Sequence, residues 1–248
     1  CINFLIIMFY YYHYKQKQFK LMRFFDIKIN IIPRVDPNCE SISESLIFLK
    51  EFRQRNIDKV CAAPNYFDVG HNKIDEIVID IQKEASKIEN FEIPEIYTSI
   101  LYPVNIELIG INNIISINNS RFLFCKFPTY GIPLNYLEKL KYLVNKNYIP
   151  ILTNIYNSSL NPKNLNELLE IGCFFDIDIN DFFLFKNKES IKVIKYLENK
   201  NSIFTVSGFS KMKELDKNFE KFSKQTGINL NKLKEDYCWG NPNLIISS

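Results

Sequence analysis

Asp176, Asp178 and Asn180 recur at every second position, with Ile177 and Ile179 between them. On a strand, polar groups spaced in this way share one face. Two carboxylates so placed have the form of a general acid/base pair. No histidine or nucleophile accompanies them in the sequence, so a structural or solvent-facing role is the better reading. The other positions where chemistry could sit are Lys28 and Asn30, Asn65, Lys126, Asn154, and the run Ser207-Gly208-Phe209-Ser210. These are ammoniums, carboxamides and hydroxyls. A carboxamide oxygen is a weak, neutral ligand for a transition metal. An ammonium has no lone pair to offer and repels a cation.

Composition narrows the chemistry further. The chain has 248 residues, only two histidines and six cysteines (Cys1, Cys39, Cys61, Cys125, Cys173 and Cys238), with no CxxC pair. A His/Cys metal site is therefore not expected, and the cysteines read as free thiols of a reducing cytoplasm. None of them precedes an Arg at the spacing of a Cys-dependent phosphatase loop. No G-x-G-x-x-G follows the first strand and no G-x-x-x-x-G-K-[ST] occurs, which removes dinucleotide and P-loop chemistry. The net charge of +3 is small and the lysines are interleaved with glutamates, a solvated surface rather than a nucleic-acid footprint. The abundance of Ile, Lys, Asn, Phe and Tyr, beside three alanines and 7 glycines, leads to the hypothesis of an A/T-rich source genome. Codon third positions compared with the flanking DNA would test it.

The elements that must position these residues alternate along the chain. Apolar, β-branched and aromatic runs predict strands at 24–30, 58–64, 95–101, 121–127, 149–154, 173–179 and 202–207. Ser41-x-x-Glu44 has the form of a capping box and opens a helix with Ile42, Leu46, Leu49 and Phe52 on one face. Ile74, Ile77, Val78, Ile81, Ala85 and Ile88 form the next helical stripe. Further helices are expected at 134–146, 162–171, 188–199 and 212–225, with a short one at 229–237. Asn161-Pro162 caps the helix at 162–171 and Gly172 ends it. Seven strand–helix units in a row predict a parallel sheet, closed into a barrel or doubly wound. In a barrel the polar positions above lie at the carboxyl ends of the strands, where chemistry sits.

Residues 1–22 read as an appendage or translated leader with Met22 or Met8 as the start, and 23–248 as a single domain. The apolar run Cys1–Tyr12 is shorter than the ~20 residues a bilayer span needs. Its positive charges follow the run, which is not the order of a signal peptide.

The order and context of these segments resemble the polymerase-and-histidinol-phosphatase (PHP) superfamily, in particular its manganese-dependent protein-tyrosine phosphatases of bacterial capsular and exopolysaccharide operons. The family pattern D-x-H-x-H-x-L-P-G-x-D-D-G is similar to Asp26 through Asn38, and E-E-S-L-x-x-L-K to Ser43 through Lys50. T-P-H resembles Ala63-Pro64-Asn65, and E-F-P resembles Lys126-Phe127-Pro128. H-P-E-R resembles Asn154 through Asn157, S-D-x-H resembles Ser207 through Ser210, and N-P-x-x-I/L resembles Asn241 through Ile245. The likeness runs from Phe24 to Ile246.

The resemblance implies a distorted (β/α)7 TIM-like barrel of PHP type and a metal-dependent phosphotyrosine hydrolase, working in the cytoplasm on the tail of a bacterial tyrosine kinase. It also implies that Lys28, Asn30, Asn65, Lys126, Asn154, Gly208 and Ser210 stand where the family has ligands, with Asn157 in place of its Arg. The third-strand Glu falls at Thr98, within two residues. On that basis no cofactor is expected for this chain where the family uses Mn. Catalysis is expected to be lost or severely impaired. The alternatives are a phosphotyrosine- or kinase-binding module without turnover, and an active phosphatase with a reduced, atypical metal site.

Neither nucleic acid nor an integral membrane segment is expected. Lys28 and Lys126 are expected either to hold an anion or to pair with Asp176 and Asp178, and Arg34 to contact phosphate or pair locally with Asp36. His71 is expected in an exposed loop, and Trp239 packed between the carboxyl-terminal helix and the barrel.

Overall fold

A computed structural model describes residues 23–71, 73–106, 114–128, 131–155, 160–185, 187–209 and 212–247. The expected appendage, Asn157 and Ser210 lie outside the described residues. Among those described, eight strand segments occur: β1 (Phe24–Ile29), β2 (Ile57–Ala62), β3 (Glu95–Thr98), β4 (Tyr102–Pro103), β5 (Phe122–Lys126), β6 (Ile149–Thr153), β7 (Phe174–Asp178) and β8 (Ile203–Ser207). All neighbouring pairs are parallel, in two sheets ordered β1-β2-β3 and β4-β5-β6-β7-β8.

The strand expected at 95–101 ends at Thr98, a separate short strand begins only at Tyr102, and the gap between them divides the sheets. β3 pairs with β2, whereas β4 pairs with β5. Main-chain bonds hold the segment between the two pieces to the end of β2 and the loop after it: Ser99 N–H donates to Ala62 O (2.9 Å), Leu101 N–H to Pro64 O (2.9 Å) and Tyr66 N–H to Leu101 O (3.1 Å). At the other junction β1 and β8 share no ladder. They meet through the Phe24–Phe209 ring contact and through Gly208 N–H, which donates to Asp26 Oδ1 at 3.0 Å. The result is a distorted parallel α/β barrel.

The helices follow the expected caps. Ser41 Oγ accepts from Glu44 N–H at 3.3 Å and opens α1 (Ile42–Gln54), which buries Leu46, Leu49 and Phe52. The Glu44 carboxylate bonds Glu40 N–H rather than that of the cap residue. The short α2 (Tyr66–Val69) precedes α3 (Ile74–Ser86) and α4 (Tyr136–Asn145). Asn161 and Asn164 form a reciprocal capping box with Pro162 at the first position of α5 (Pro162–Glu170). The short α6 (Ile179–Phe185), α7 (Lys188–Asn199) and α8 (Leu215–Thr226) complete the outer layer. The chain finishes as α9 (Leu230–Lys232), a π-helical stretch Leu233–Gly240 and α10 (Asn241–Ile246), where one helix at 229–237 was expected.

Two apolar clusters hold these layers. The larger joins residues of the strands to the helices, including Leu49, Ile81, Leu140, Leu168, Ile194 and Phe222. The smaller gathers Phe25, Ile27, Cys61, Ala63, Phe124 and Ile151 from β1, β2, β5, β6 and the start of the loop after β2. Ile245 of α10 completes it. Trp239 packs against this second cluster, as expected, and Lys59 lies over both its ring and that of Tyr97.

With so few glycines, asparagine takes over the left-handed positions. Eight of the nine non-glycine residues with positive φ among those described are Asn, among them Asn56, Asn147 and Asn201, each one residue beyond the cap that ends a helix. Asn enters this conformation at the least cost after Gly.

Candidate functional site

Four strand ends converge on the Lys28 ammonium. Lys28 is in β1, and its Nζ lies 2.8 Å from Asp178 Oδ2 and 3.8 Å from Asp176 Oδ2, both in β7. It also donates to Thr153 Oγ1, at the end of β6, at 3.1 Å. From β8, Thr205 and Ser207 donate their hydroxyls to the two oxygens of Asp176, at 2.9 and 2.7 Å. Asp178 Oδ1 accepts from Asp181 N–H (2.9 Å), in the first turn of α6. All the carboxylates concerned are buried, Asp26 included.

A cluster so far from water is stable only because each charge is matched and hydrogen-bonded. Burial pushes the Lys28 ammonium toward neutrality. The charges of Asp178 and Asp176 and the Asp178 hydrogen bond outweigh it, so the group is held well above the ordinary lysine range. Asp176 is raised to about 6, chiefly by burial, with Asp178 adding to the rise while Lys28, Ser207 and Thr205 oppose it.

The second ammonium takes a different partner. Lys126, at the end of β5, donates to Asn65 Oδ1, and the Asn65 amide in turn donates to Asp68 Oδ2 at 2.8 Å. Burial, and after it the charge of Lys28, lowers the Lys126 pKa, although Asp68 and Asp181 oppose the fall. Of the two pairings expected for the lysines, Lys28 makes the one with Asp176 and Asp178. Lys126 does not, because its strand end faces the loop after β2.

The remaining positions are scattered around this centre. Asn30 follows β1 and is half-buried, and Asn154 follows β6 with φ +60. Thr98 Oγ1 donates to Asp75 Oδ1 of α3 at 2.6 Å. Arg34 is exposed with φ +63, and its N–H closes a turn onto Cys39 O at 2.8 Å. Asp36 is buried, and its Oδ2 accepts from Ile32 N–H at 2.7 Å, organising the same loop from within. His71 is exposed, as expected.

Two contributors were not singled out from the sequence. The hydroxyls of Thr153 and Thr205 lie on strands that read as plain apolar runs. Ser99 sits fully buried in the break of the third strand, its Oγ without a hydrogen-bond partner. Cysteine chemistry does not arise here: Cys39, Cys61, Cys125, Cys173 and Cys238 are free and buried, and burial pushes all five thiols up.

The barrel with a polar mouth at its strand ends defines a class, and comparisons place the chain within it. Residues 24–218 match the model of the family described as capsular polysaccharide synthesis, CpsB/CapC, and the chain belongs to that family. CapC of Staphylococcus aureus, by its name a candidate tyrosine-protein phosphatase, is 30% identical over 153 residues. That alignment covers 59% of this chain and 59% of CapC, so the chain matches about three-fifths of this relative's length. Among solved structures, the fold is similar to that reported for YwqE from Bacillus subtilis and CpsB from Streptococcus pneumoniae, described as unique metal-dependent tyrosine phosphatases. The TM-score is 0.73 at 18% identity, over 90% of this chain and 94% of the other. A phosphotriesterase homology protein of Escherichia coli shares the fold more distantly, with a TM-score of 0.55 at 10% identity over 91% and 99% of the two chains.

One expectation is corrected here. No cofactor was expected for this chain, yet the proteins of similar fold are described as metal-dependent, and that reading does not stand. Physically, replacing ligands changes which ions a site prefers and how tightly, but it does not by itself set occupancy. The donors present still matter. Asp176 and Asp178 both face an ammonium, and their neighbours are amides and hydroxyls. This set does not fit a cluster of several metal ions, and no chemical step is derived through one.

No described helix is long and apolar enough to cross a membrane.

Proposed function

We propose that this chain is a tyrosine-phosphatase-type protein of capsular polysaccharide synthesis whose hydrolysis of phosphotyrosine is severely impaired. Its substrate class would be the phosphotyrosine tail of a bacterial tyrosine kinase, and manganese the ion to test. The observation that carries the reading is the buried Lys28 ammonium, matched by Asp178 at 2.8 Å and Asp176 at 3.8 Å. Hydrolysis of a phosphate ester needs an activated water and stabilisation of the departing oxygen. The carboxylates at these strand ends are committed to a charge of the chain's own. Lys28, Asn30, Asn65, Thr98, Lys126, Asn154 and Gly208 are, on this reading, the positions where the ancestral site changed.

A second reading, phosphotyrosine binding without turnover, is favoured by Lys126, whose ammonium meets an amide oxygen rather than a carboxylate.

The test is an assay of the chain purified with manganese against a phosphotyrosine peptide, with bound metal and peptide affinity measured on the same sample. Turnover at least a thousandfold below that of CpsB under the same conditions supports impairment. Turnover that rises in proportion to bound manganese and approaches that of CpsB refutes it. Peptide binding without hydrolysis supports the second reading.

A further inference from the structure

Gly208 follows β8 with φ +74, and a Cβ built on it would lie 2.7 Å from Cγ and 2.9 Å from Oδ2 of Asp178, and nearer still to Oδ1. The other described glycines with positive φ, Gly70, Gly131, Gly172 and Gly227, have nothing within 4 Å of the same built atom. For them the backbone conformation alone calls for glycine. At Gly208 there is a second requirement, because the Asp178 carboxylate rests against the bare Cα. This is the same carboxylate that turns Oδ2 to Lys28 and Oδ1 to Asp181 N–H. The N–H of Gly208 donates to Asp26 Oδ1 on β1, which fixes the loop end under Asp178.

We propose that Gly208 is the positioning residue of the Lys28–Asp178 ion pair: the missing side chain at the end of β8 admits the β7 carboxylate to the ammonium. Positions 178 and 208 are then coupled. A carboxylate reaching Lys28 from β7 excludes any side chain on residue 208, and a side chain there displaces Asp178 and leaves Lys28 with only the more distant Asp176 at 3.8 Å, a match that an added anion can supplement. A carboxylate introduced at 208 alone would collide with the one already in place.

The experiment compares Gly208→Ala in two backgrounds of the full chain, wild type and Asp178→Ala, by thermal unfolding. Alanine at φ +74 is strained in both backgrounds, whereas the collision exists only with Asp178 present. The expected loss of Tm on Gly208→Ala is about twice as large, or more, in the wild-type background. Equal losses overturn the proposal. Should Asp178→Ala fail to fold with Lys28 left beside Asp176, the Lys28→Met/Asp178→Ala background serves instead, since it removes both charges of the pair. If Gly208→Ala fails to fold alone and folds in the second background, the rescue supports the proposal; failure in both overturns it. Inorganic phosphate supplies a readout that simple destabilisation would not move. It is expected to raise the Tm of folded Gly208→Ala more than that of the wild-type chain, and an identical response overturns the positioning role.

Discussion

Lys28 Nζ and Asp178 Oδ2 stand 2.8 Å apart, a buried ion pair that ties β1 to β7 where no strand ladder joins β1 to β8. The side chains are 10% and 6% exposed, so water screens the pair little and each charge depends on the other.

Lys28→Met therefore leaves Asp176 and Asp178 facing each other without a cation. The expected loss is about 3–5 kcal/mol, read from chemical denaturation at neutral pH. Lys28→Met/Asp178→Asn is expected to regain part of it. A single variant as stable as the parent would show that the pair contributes nothing to the fold.

Acid should strengthen one part of the same cluster. Asp176 titrates at about 6 in the folded chain, above its ordinary value of 3.8. Between these values the folded state binds more protons than the unfolded one, so stability falls as pH rises. The contribution is fully present below about 3.8 and is lost as pH climbs through about 6, with Lys28 charged throughout. The stability difference between the parent and Asp176→Asn should change by roughly 1–3 kcal/mol across this window, measured by denaturation at pH 4 and pH 7. A flat difference would contradict the burial-driven shift.

Ile245→Ala is expected to cost about 2–5 kcal/mol. The side chain is fully buried and completes the cluster that β1, β2, β5 and β6 form with the loop after β2. Loss of the Trp239 fluorescence signature at lower denaturant than in the parent would register it. An unchanged midpoint would mean that α10 merely lies against the barrel.

Asn147→Gly and Asn201→Gly, at φ +69 and +51 just beyond helix ends, should each stabilise by about 0.5–1 kcal/mol. Thermal unfolding would show it. Destabilisation would indicate that the Asn amides, not their backbone conformation, matter there.

Much of this was legible in the residues. Strand and helix periodicity located the barrel elements within a few positions, because their apolar faces are set by local spacing. The pairing of Lys28 with the β7 carboxylates was legible from opposite charges at strand ends that a barrel gathers at one mouth. The end of the third strand at Thr98 was not, since 95–101 is uniformly suited to a strand and the change at this point, from pairing with β2 to pairing with β5 at Tyr102, depends on which neighbour lies alongside. Nor was the short helix 179–185, which begins directly where β7 ends. Gly208 read only as a substituted position. Its role depends on where the Asp178 side chain points, which spacing does not carry. The partner of Lys126 was hidden for the same reason: Asn65 approaches it from a loop on the opposite sheet.

The two junctions of the ring are made of different material. Between β3 and β4 the chain itself runs on through Ser99–Leu101, and three main-chain hydrogen bonds hold that segment to the end of β2 and the loop after it, a join that neither salt nor a change of side chain removes. Between β1 and its neighbours across the other junction, the closure rests mainly on side chains: the Phe24 and Phe209 rings, the Asp26 carboxylate on Gly208 N–H, and the Lys28 ammonium with its carboxylates. Such a barrel has a permanent weld on one side and a clasp on the other, and the clasp is built at the mouth itself. A ligand that competes for Lys28 would therefore bear on how the ring is shut, so occupancy and closure share one set of atoms.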